Sequence, residues 1–277
     1  MNYKYDILGT KQLSDAHNAE AQRATHEYSV SLINGNDLRG SATLVSIGNA
    51  YGLLTADHVW SHIQDGGAED HFCMLLGSRI QRFEYPFQEC SPIVIGAYMA
   101  NHLAEGPDLT FIRLDNPQKI ATLKSQKSFF PLDKQKGELF QKISFKSLVW
   151  LLWGAPAERS KMLFTKSGER VRKVTHFVGG SDFENVVERN GFDYLTLKIP
   201  TGGWDYPRNY QGFSGGGVWI PVQYSEDPIG NILRPTLNLL LVGVAFYQSK
   251  EVAGSRNIAC HGAKSIYQRT VTAVESR

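Results

Sequence analysis

Short segments in which hydrophobic and polar residues alternate recur along most of the chain, and this alternation predicts half-buried β-strands. Glycine, asparagine, aspartate and proline separate the segments and predict turns. Pro86 and Pro92 are expected in loops or at sheet edges. Many short strands at this spacing are typical of an all-β sandwich or barrel. The predicted strands cover residues 28–33, 40–47, 51–55, 71–76, 79–83, 93–98, 109–114, 148–153, 161–165, 171–178, 194–199 and 237–247.

The remaining stretches are more polar. Residues 11–25 are rich in alanine and predict a short surface helix with Ser14 as its N-cap. Residues 118–145 carry many lysines and are interpreted as a linker between two halves of the molecule. The C-terminal residues 265–277 are expected to form a short strand or helix.

The composition is that of an ordinary globular protein, with 42% hydrophobic and 20% charged residues among 277. This length allows one large all-β domain or two small ones. The net charge of +2 favours neither nucleic acid nor a membrane surface as a partner. Because the N-terminus lacks the apolar core of a signal peptide and no apolar stretch reaches ~18 residues, we expect a cytoplasmic protein.

The cysteines Cys73, Cys90 and Cys260 are few and odd in number, which argues against a disulfide framework and for a reducing compartment. None belongs to a Cys-x-x-Cys pair. His71 lies near Cys73 and His261 follows Cys260, but neither pair has a zinc spacing. The spacing therefore predicts no metal site, and no cofactor is expected.

The stretch 212–218 places Ser214 among four glycines, directly before an apolar run. Glycine lets the backbone approach a ligand closely and adopt positive φ. A serine in such a turn can present its hydroxyl while neighbouring N–H groups converge on one point, as a nucleophile with an oxyanion hole requires. An ordinary glycine-rich turn between strands is the alternative.

Two further residues stand at strand edges ahead of this serine. His58 lies in Leu-Leu-Thr-Ala-Asp-His-Val, and Asp108 in Pro-Asp-Leu-Thr-Phe-Ile-Arg-Leu. With Gly-Phe-Ser-Gly-Gly-Gly-Val around Ser214, these segments resemble the chymotrypsin/trypsin-like serine peptidases, in which the order is His, Asp, Ser. Taken singly, His58 could be a satisfied polar group at a helix start and Asp108 a turn cap.

The resemblance implies two antiparallel six-stranded Greek-key β-barrels with an N-terminal extension. Residues 1–26 would form the extension, residues 27–125 the first barrel, and residues 126–277 the linker and second barrel. It also implies a serine endopeptidase that hydrolyses a polypeptide substrate. His58 would act as general base, Asp108 would hold its tautomer, and the N–H groups of Gly212 and Ser214 would form the oxyanion hole.

Several positions depart from the family pattern. Asp57 stands where alanine is usual, and we expect it to face solvent. Phe213 replaces the acid that pairs with a new N-terminus in zymogens, so the resemblance is closer to bacterial intracellular enzymes without a zymogen segment. Arg208 takes the position at the base of the specificity pocket, where a buried arginine would favour an acidic side chain. The segment Ala245-Phe246-Tyr247 is expected to form the other wall and to pair with bound peptide.

Three other functions remain open at the level of sequence. One is a pseudo-enzyme that binds an extended peptide without cutting it. Another is a latent domain whose Ser214 loop a regulatory protein partner reshapes, which would show as a flipped peptide before Ser214. A plain esterase or lipase is disfavoured by the order of the three residues. An unrestrained cytoplasmic protease would be harmful, so we expect narrow specificity or a controlling partner.

Overall fold

The computed structural model describes residues 4–7, 15–65, 70–77, 82–102, 104–135, 149–164, 168, 170–202, 205–226 and 232–277. Ser14, the predicted helix cap, lies outside these residues. The described strands are β1 Lys4–Ile7, β2 Ser29–Asn34, β3 Asp37–Ile47, β4 Ala50–Thr55, β5 His71–Leu75, β6 Arg82–Pro86, β7 Cys90–Gly96, β8 Leu109–Leu114, β9 Phe130–Pro131, β10 Trp150–Gly154, β11 Lys161–Phe164, β12 Arg170–Lys173, β13 Phe177–Arg189, β14 Phe192–Pro200, β15 Gly217–Glu226, β16 Ile232–Gln248 and β17 Ser255–His261. The helices are α1 Asp15–Glu27, α2 Asp57–Asp65, α3 Pro117–Lys124, a π-helical segment Lys264–Thr270 and α4 Val271–Glu275.

The first large sheet has the strand order β6-β5-β2-β3-β4-β8-β7, with β9 added in parallel to β3. No ladder joins β6 to β7 among the described residues, so this sheet curls but stays open. Pro86 and Pro92 lie in these two edge strands, as predicted, where a missing N–H costs least.

The second large sheet closes on itself. Its order is β15-β10-β13-β14-β17-β16, and β16 pairs again with β15 to complete a six-stranded barrel. The mostly β, double-sheet architecture agrees with the predicted fold class, but only this half is a closed barrel. The N-terminal residues Lys4–Ile7 were expected to lie in a separate extension, yet they pair with β15 of the second sheet.

The predicted linker begins inside the first half. Residues 117–124 form α3, because Asn116 accepts hydrogen bonds from the N–H groups of Gln118 and Lys119 and Pro117 occupies the first turn. The pairing of β9 with β3 then carries the first sheet past the expected boundary at residue 126. Residues 136–145 of the predicted linker lie outside the described residues.

Local patterning located most strands but not all of their ends. The strand 109–114 is confirmed as β8, whereas the segment 171–178 is divided between β12 and β13. Strand β17 was not predicted, and the C-terminal residues form helix. No helix in the described part of the chain is both long and apolar enough to cross a bilayer.

Each sheet encloses an apolar core, and a third apolar cluster joins the two halves. Phe72, Met74 and Trp60 lie in the first core, and Leu197 and Val242 lie in the second. The joining cluster packs outer residues of the first sheet against Trp153, Trp219, Ile266 and Val271. This contact fixes the position of the Ser214 turn relative to the first sheet.

Candidate active site

His58 lies in the first turn of α2, where the chain leaves β4. The apolar residues of this helix recur at helical spacing, so that Val59, Trp60 and Ile63 are buried in the first core. His58 and His62, one turn apart, lie on another face, with ring centroids 5.7 Å apart. The side chain of His58 is 14% exposed.

Asp108 directly precedes β8 and is 1% exposed. Its Oδ2 lies 2.5 Å from His58 Nδ1, and its Oδ1 accepts the backbone N–H of His58 at 2.9 Å. One carboxylate therefore binds both the ring and the backbone of the same histidine. This arrangement fixes the imidazole with Nδ1 as the donor and leaves Nε2 able to accept a proton.

His261 is a site residue that the sequence did not reveal. It ends β17 in the second sheet, is fully buried, and its Nε2 accepts the backbone N–H of Asp108 at 3.0 Å. Burial lowers the pKa of His261 to about 4, so its imidazole is neutral at neutral pH and can be an acceptor. Asp108 is thus held between a histidine from each half of the molecule.

Asp57 was expected to face solvent, but it is buried. It is 7% exposed, its Oδ1 accepts the Thr110 hydroxyl at 2.8 Å, and its Oδ2 accepts the backbone N–H of Tyr98 at 2.8 Å. The side of α2 that carries Asp57 is buried because β8 and the loop 97–99 cover it. Asp57 therefore ties the histidine helix to Tyr98, whose ring centroid lies 5.5 Å from that of His58.

The Ser214 turn depends on glycine backbone geometry. Gly212 and Gly215 have φ values of 97° and 85°, which residues with a Cβ rarely adopt. Ser41 of β3 holds the turn at two points: its N–H donates to the Ser214 carbonyl at 2.8 Å, and its hydroxyl donates to the Gly212 carbonyl at 2.7 Å. The first sheet therefore positions a turn that belongs to the second.

Two peptide groups in this turn point their carbonyls away from the cavity. The Gln211 carbonyl accepts the N–H of Ala157 at 2.8 Å, and the Phe213 carbonyl accepts the N–H of Gly216 at 2.7 Å. In a trans peptide the C=O and N–H point in opposite directions. Among the described residues, neither the Gly212 N–H nor the Ser214 N–H donates a hydrogen bond. These two N–H groups are the predicted oxyanion-hole donors.

His58 and Ser214 line the same cavity, which has a volume of about 280 Å³. The Ser214 hydroxyl donates to the Phe246 carbonyl at 3.3 Å, and it makes no hydrogen bond to His58 in this structure. Ala245, Phe246 and Tyr247, which were predicted to form one wall of a specificity pocket, are among the residues that line this cavity. A bulge between Ala245 and Tyr247 in the pairing with β17 leaves Phe246 outside the ladder, which turns its carbonyl toward Ser214.

Arg208 does not form the base of this cavity. Its side chain is exposed, while its backbone N–H donates to Glu158 at 2.7 Å. Buried Tyr210 and Ile258 line the cavity instead, because the hydroxyl of Tyr210 is tied to the Pro200 carbonyl at 2.6 Å. The predicted acidic preference therefore has no support at this position.

Arg39 of β3 brings a positive charge to the cavity. It lines the cavity beside His58 and His62, and no aspartate or glutamate is among the lining residues. Its Nε is buried without a hydrogen-bond partner among the described residues, and a terminal nitrogen lies 3.5 Å from Asp37. The pKa of His62 is lowered by burial, and further by the charges of His58 and Arg39.

No protein-family model matches the chain, and no curated protein matches it. Among solved structures, the HtrA-type protease AlgW with a tripeptide matches with a TM-score of 0.50 and 17% identity, covering 93% of this chain and 64% of that chain. The serine endoprotease from Yersinia pestis matches with a TM-score of 0.45 and 15% identity, covering 93% of this chain and 65% of that one. This chain therefore spans somewhat less than two thirds of either protein. The likeness to AlgW shows a fold of the trypsin-like serine protease type.

Proposed function

We propose that this chain is a serine endopeptidase in which Ser214, His58 and Asp108 perform acyl transfer. The observation that supports this most is the double hydrogen bond from His58 to Asp108, through Nδ1 and the backbone N–H. An isolated structural histidine has no need of a carboxylate buried to 1% exposure and aligned with its ring. In this proposal Asp108 stabilises the imidazolium that forms when His58 takes the serine proton.

Because the Ser214 hydroxyl is bonded to the Phe246 carbonyl and not to His58, substrate binding would be needed to align the nucleophile. An extended peptide bound along β16 would donate an N–H to the Phe246 carbonyl, as an added strand does. That N–H replaces the serine hydroxyl, which then turns to His58 Nε2. The hydroxyl oxygen attacks the peptide carbonyl, His58 takes the proton, and His58 later returns it to the leaving amine.

The N–H groups of Gly212 and Ser214 would stabilise the oxyanion that forms in this attack. One such donor is worth about 3–4 kcal/mol in comparable enzymes. The orientation of the Gln211 and Phe213 carbonyls supports a formed hole rather than the flipped peptide expected of a latent domain. Ala157, Gly216 and Ser41 hold this orientation before any ligand binds.

The walls of the cavity indicate a peptide with a neutral side chain next to the cleaved bond. Tyr210 and Ile258 are uncharged and buried, and the amide of Gln248 is already bonded to Tyr210 N–H and to Asn209. Arg39, which lines the same cavity, would pair with an acidic side chain elsewhere in the peptide. The acidic preference first assigned to Arg208 is thereby proposed for Arg39.

A fluorophosphonate probe tests the proposal, because it labels only a serine activated as a nucleophile. We expect labelling of the wild type, none of Ser214→Ala, and unchanged labelling of Ser249→Ala, which alters a serine that does not line the cavity. Peptide hydrolysis should fall ~10⁶-fold in Ser214→Ala. Folded wild-type protein that stays unlabelled, or equal labelling of Ser214→Ala, would overturn the proposal.

A further inference from the structure

The edge hairpin of the first sheet brings together three side chains that commonly bind metal ions. Strands β5 and β6 are antiparallel, with Cys73 directly opposite Glu84 and His71 two residues before Cys73. Residues two apart on a strand share a face, and directly opposed residues share it too. One ligand atom from each of His71, Cys73 and Glu84 lies within 4.8 Å of the other two.

We propose that His71, Cys73 and Glu84 form a zinc-binding site on the outer face of this hairpin. Zinc bonds of about 2.0–2.3 Å to nitrogen, oxygen and sulfur place neighbouring ligand atoms roughly 3.3–3.8 Å apart in a tetrahedron. The three atoms lie within 4.8 Å of one another, so their separations exceed that spacing by at most about 1–1.5 Å. Small side-chain rotations bring them onto one ion, with no change in strand register.

The surroundings give the site an apolar floor and an opening to water. Cys73 is 2% exposed and belongs to a small cluster with Ile33, Leu75 and Val174. His71 is partly exposed and Glu84 is exposed. The thiolate is therefore shielded, while water can occupy the fourth position of a tetrahedral ion.

Asp70 supplies the outer support that metal-binding histidines commonly have. Its Oδ1 lies 3.1 Å from His71 Nδ1. A carboxylate bonded to one ring nitrogen fixes the tautomer and leaves the other nitrogen as the metal ligand. In this site Nδ1 is the donor to Asp70, and Nε2 binds the ion.

The ligand set selects zinc among common divalent ions. A thiolate and an imidazole are poor ligands for Mg²⁺ or Ca²⁺, whereas thiolate, imidazole and carboxylate together are ordinary zinc ligands. When zinc binds, the Cys73 thiol loses one proton to solvent and no other bond breaks. Strands β5 and β6 already pair, and the ion would add a cross-link between them that stabilises the edge strand β6.

The spacing of His71 and Cys73 alone predicts no zinc site, because the third ligand is supplied by cross-strand register. The site does not depend on the proposed peptidase activity. A competing pair of histidine ligands is His58 and His62, which stand one helical turn apart near Asp108 in the active-site cavity. That competitor has no sulfur ligand, which allows a spectroscopic distinction.

Titration of EDTA-stripped protein with Co²⁺ and Zn²⁺ tests the site. We expect one equivalent of Co²⁺ to give a thiolate-to-metal charge-transfer band in the near ultraviolet, which Zn²⁺ displaces. Cys73→Ser should abolish the band. His71→Asn and Glu84→Gln should weaken zinc binding at least about tenfold. Cys90→Ser, another buried cysteine, and His62→Gln, in the competing site, should keep both the band and the affinity.

The thermal stability of Glu84→Gln provides a second readout that does not depend on the buried cysteine. Zinc at a hundredfold excess over its Kd should raise the wild-type Tm by about 5–10 °C. Glu84→Gln should have the wild-type Tm in EDTA and lose about half of this rise or more at the same zinc concentration, whereas Glu89→Gln should keep it. A charge-transfer band that survives in Cys73→Ser, a band lost in His62→Gln, or no stoichiometric binding at micromolar zinc would each overturn the proposal.

Discussion

The two sides of the cavity are built by different means. On the side of His58, side chains hold side chains: Asp108 binds His58, and Asp57 binds Thr110. On the side of Ser214, backbone carbonyls are held instead: they accept from the N–H groups of Ser41, Ala157 and Gly216 and from the Ser41 hydroxyl. The geometry of the His58 side therefore depends on the chemistry of a few side chains. The geometry of the Ser214 side depends on the path of the backbone, which any added Cβ could alter.

The largest effect on the His58 side is expected from Asp108→Asn. The amide would present a donor to His58 Nδ1 and favour the wrong tautomer, so kcat/KM should fall ~10⁴-fold. Peptide hydrolysis under first-order conditions measures this. Asp115→Asn, at an exposed carboxylate bonded to Arg113, should leave kcat/KM unchanged. Equal losses in the two variants would contradict the assigned role of Asp108.

The corresponding change on the Ser214 side is Gly212→Ala. At φ 97° alanine is strained, and its Cβ would crowd the carbonyl of Ala155. Displacement of one proposed oxyanion donor should lower kcat about 10²–10³-fold. Gly48→Ala is a matched control, because Gly48 has φ 55° and open space where a Cβ would lie. If both variants lose the same activity, general strain rather than the N–H of Gly212 is responsible.

The sequence predicts the residues of the candidate site better than it predicts the contacts between distant parts of the chain. The motifs around His58, Asp108 and Ser214 predict these residues as candidates because each carries its signal within a few positions. His261 could not be found in this way, since it lies 153 residues from Asp108 and its role depends on how the two sheets meet. The burial of Asp57 and the exposure of Arg208 likewise depend on which loop covers each of them. Similarly, the alternating pattern predicts strands but not whether a sheet closes.

The contact of His261 with Asp108 links the two halves of the molecule, and His261→Leu should break it. Asp108 would lose the acceptor for its N–H, and its misplacement should lower kcat about 10- to 100-fold. His176→Leu is the control, because burial also lowers the pKa of His176, to about 3, but its ring bonds the Ser31 hydroxyl and not Asp108. An unchanged kcat in His261→Leu would limit that residue to a packing role.

The same histidine makes folding stability depend on pH. Between about pH 6.5 and pH 4 the unfolded state binds a proton at His261 and the folded state does not, because burial lowers the folded pKa to about 4. The free energy of unfolding should therefore fall as pH falls through this window, by up to about 1.4 kcal/mol per pH unit. Urea denaturation at pH 7 and pH 5 measures this, and His261→Leu should show a smaller difference. Equal differences in wild type and variant would contradict the shift.

The smallest effect concerns Asp57, which acts on the cavity through Tyr98 rather than on the chemistry. Asp57→Ala frees the Tyr98 N–H and should raise KM about fivefold, the equivalent of about 1 kcal/mol, with kcat little changed. Asp57→Asn should restore most of the affinity, because its carbonyl can accept from Tyr98 while its NH₂ donates to Thr110. Asp65→Ala, at the exposed end of the same helix, should match wild type. A fall in kcat with KM unchanged would mean that Asp57 positions His58 for the reaction. The position of Tyr98 in the cavity wall would then not depend on Asp57.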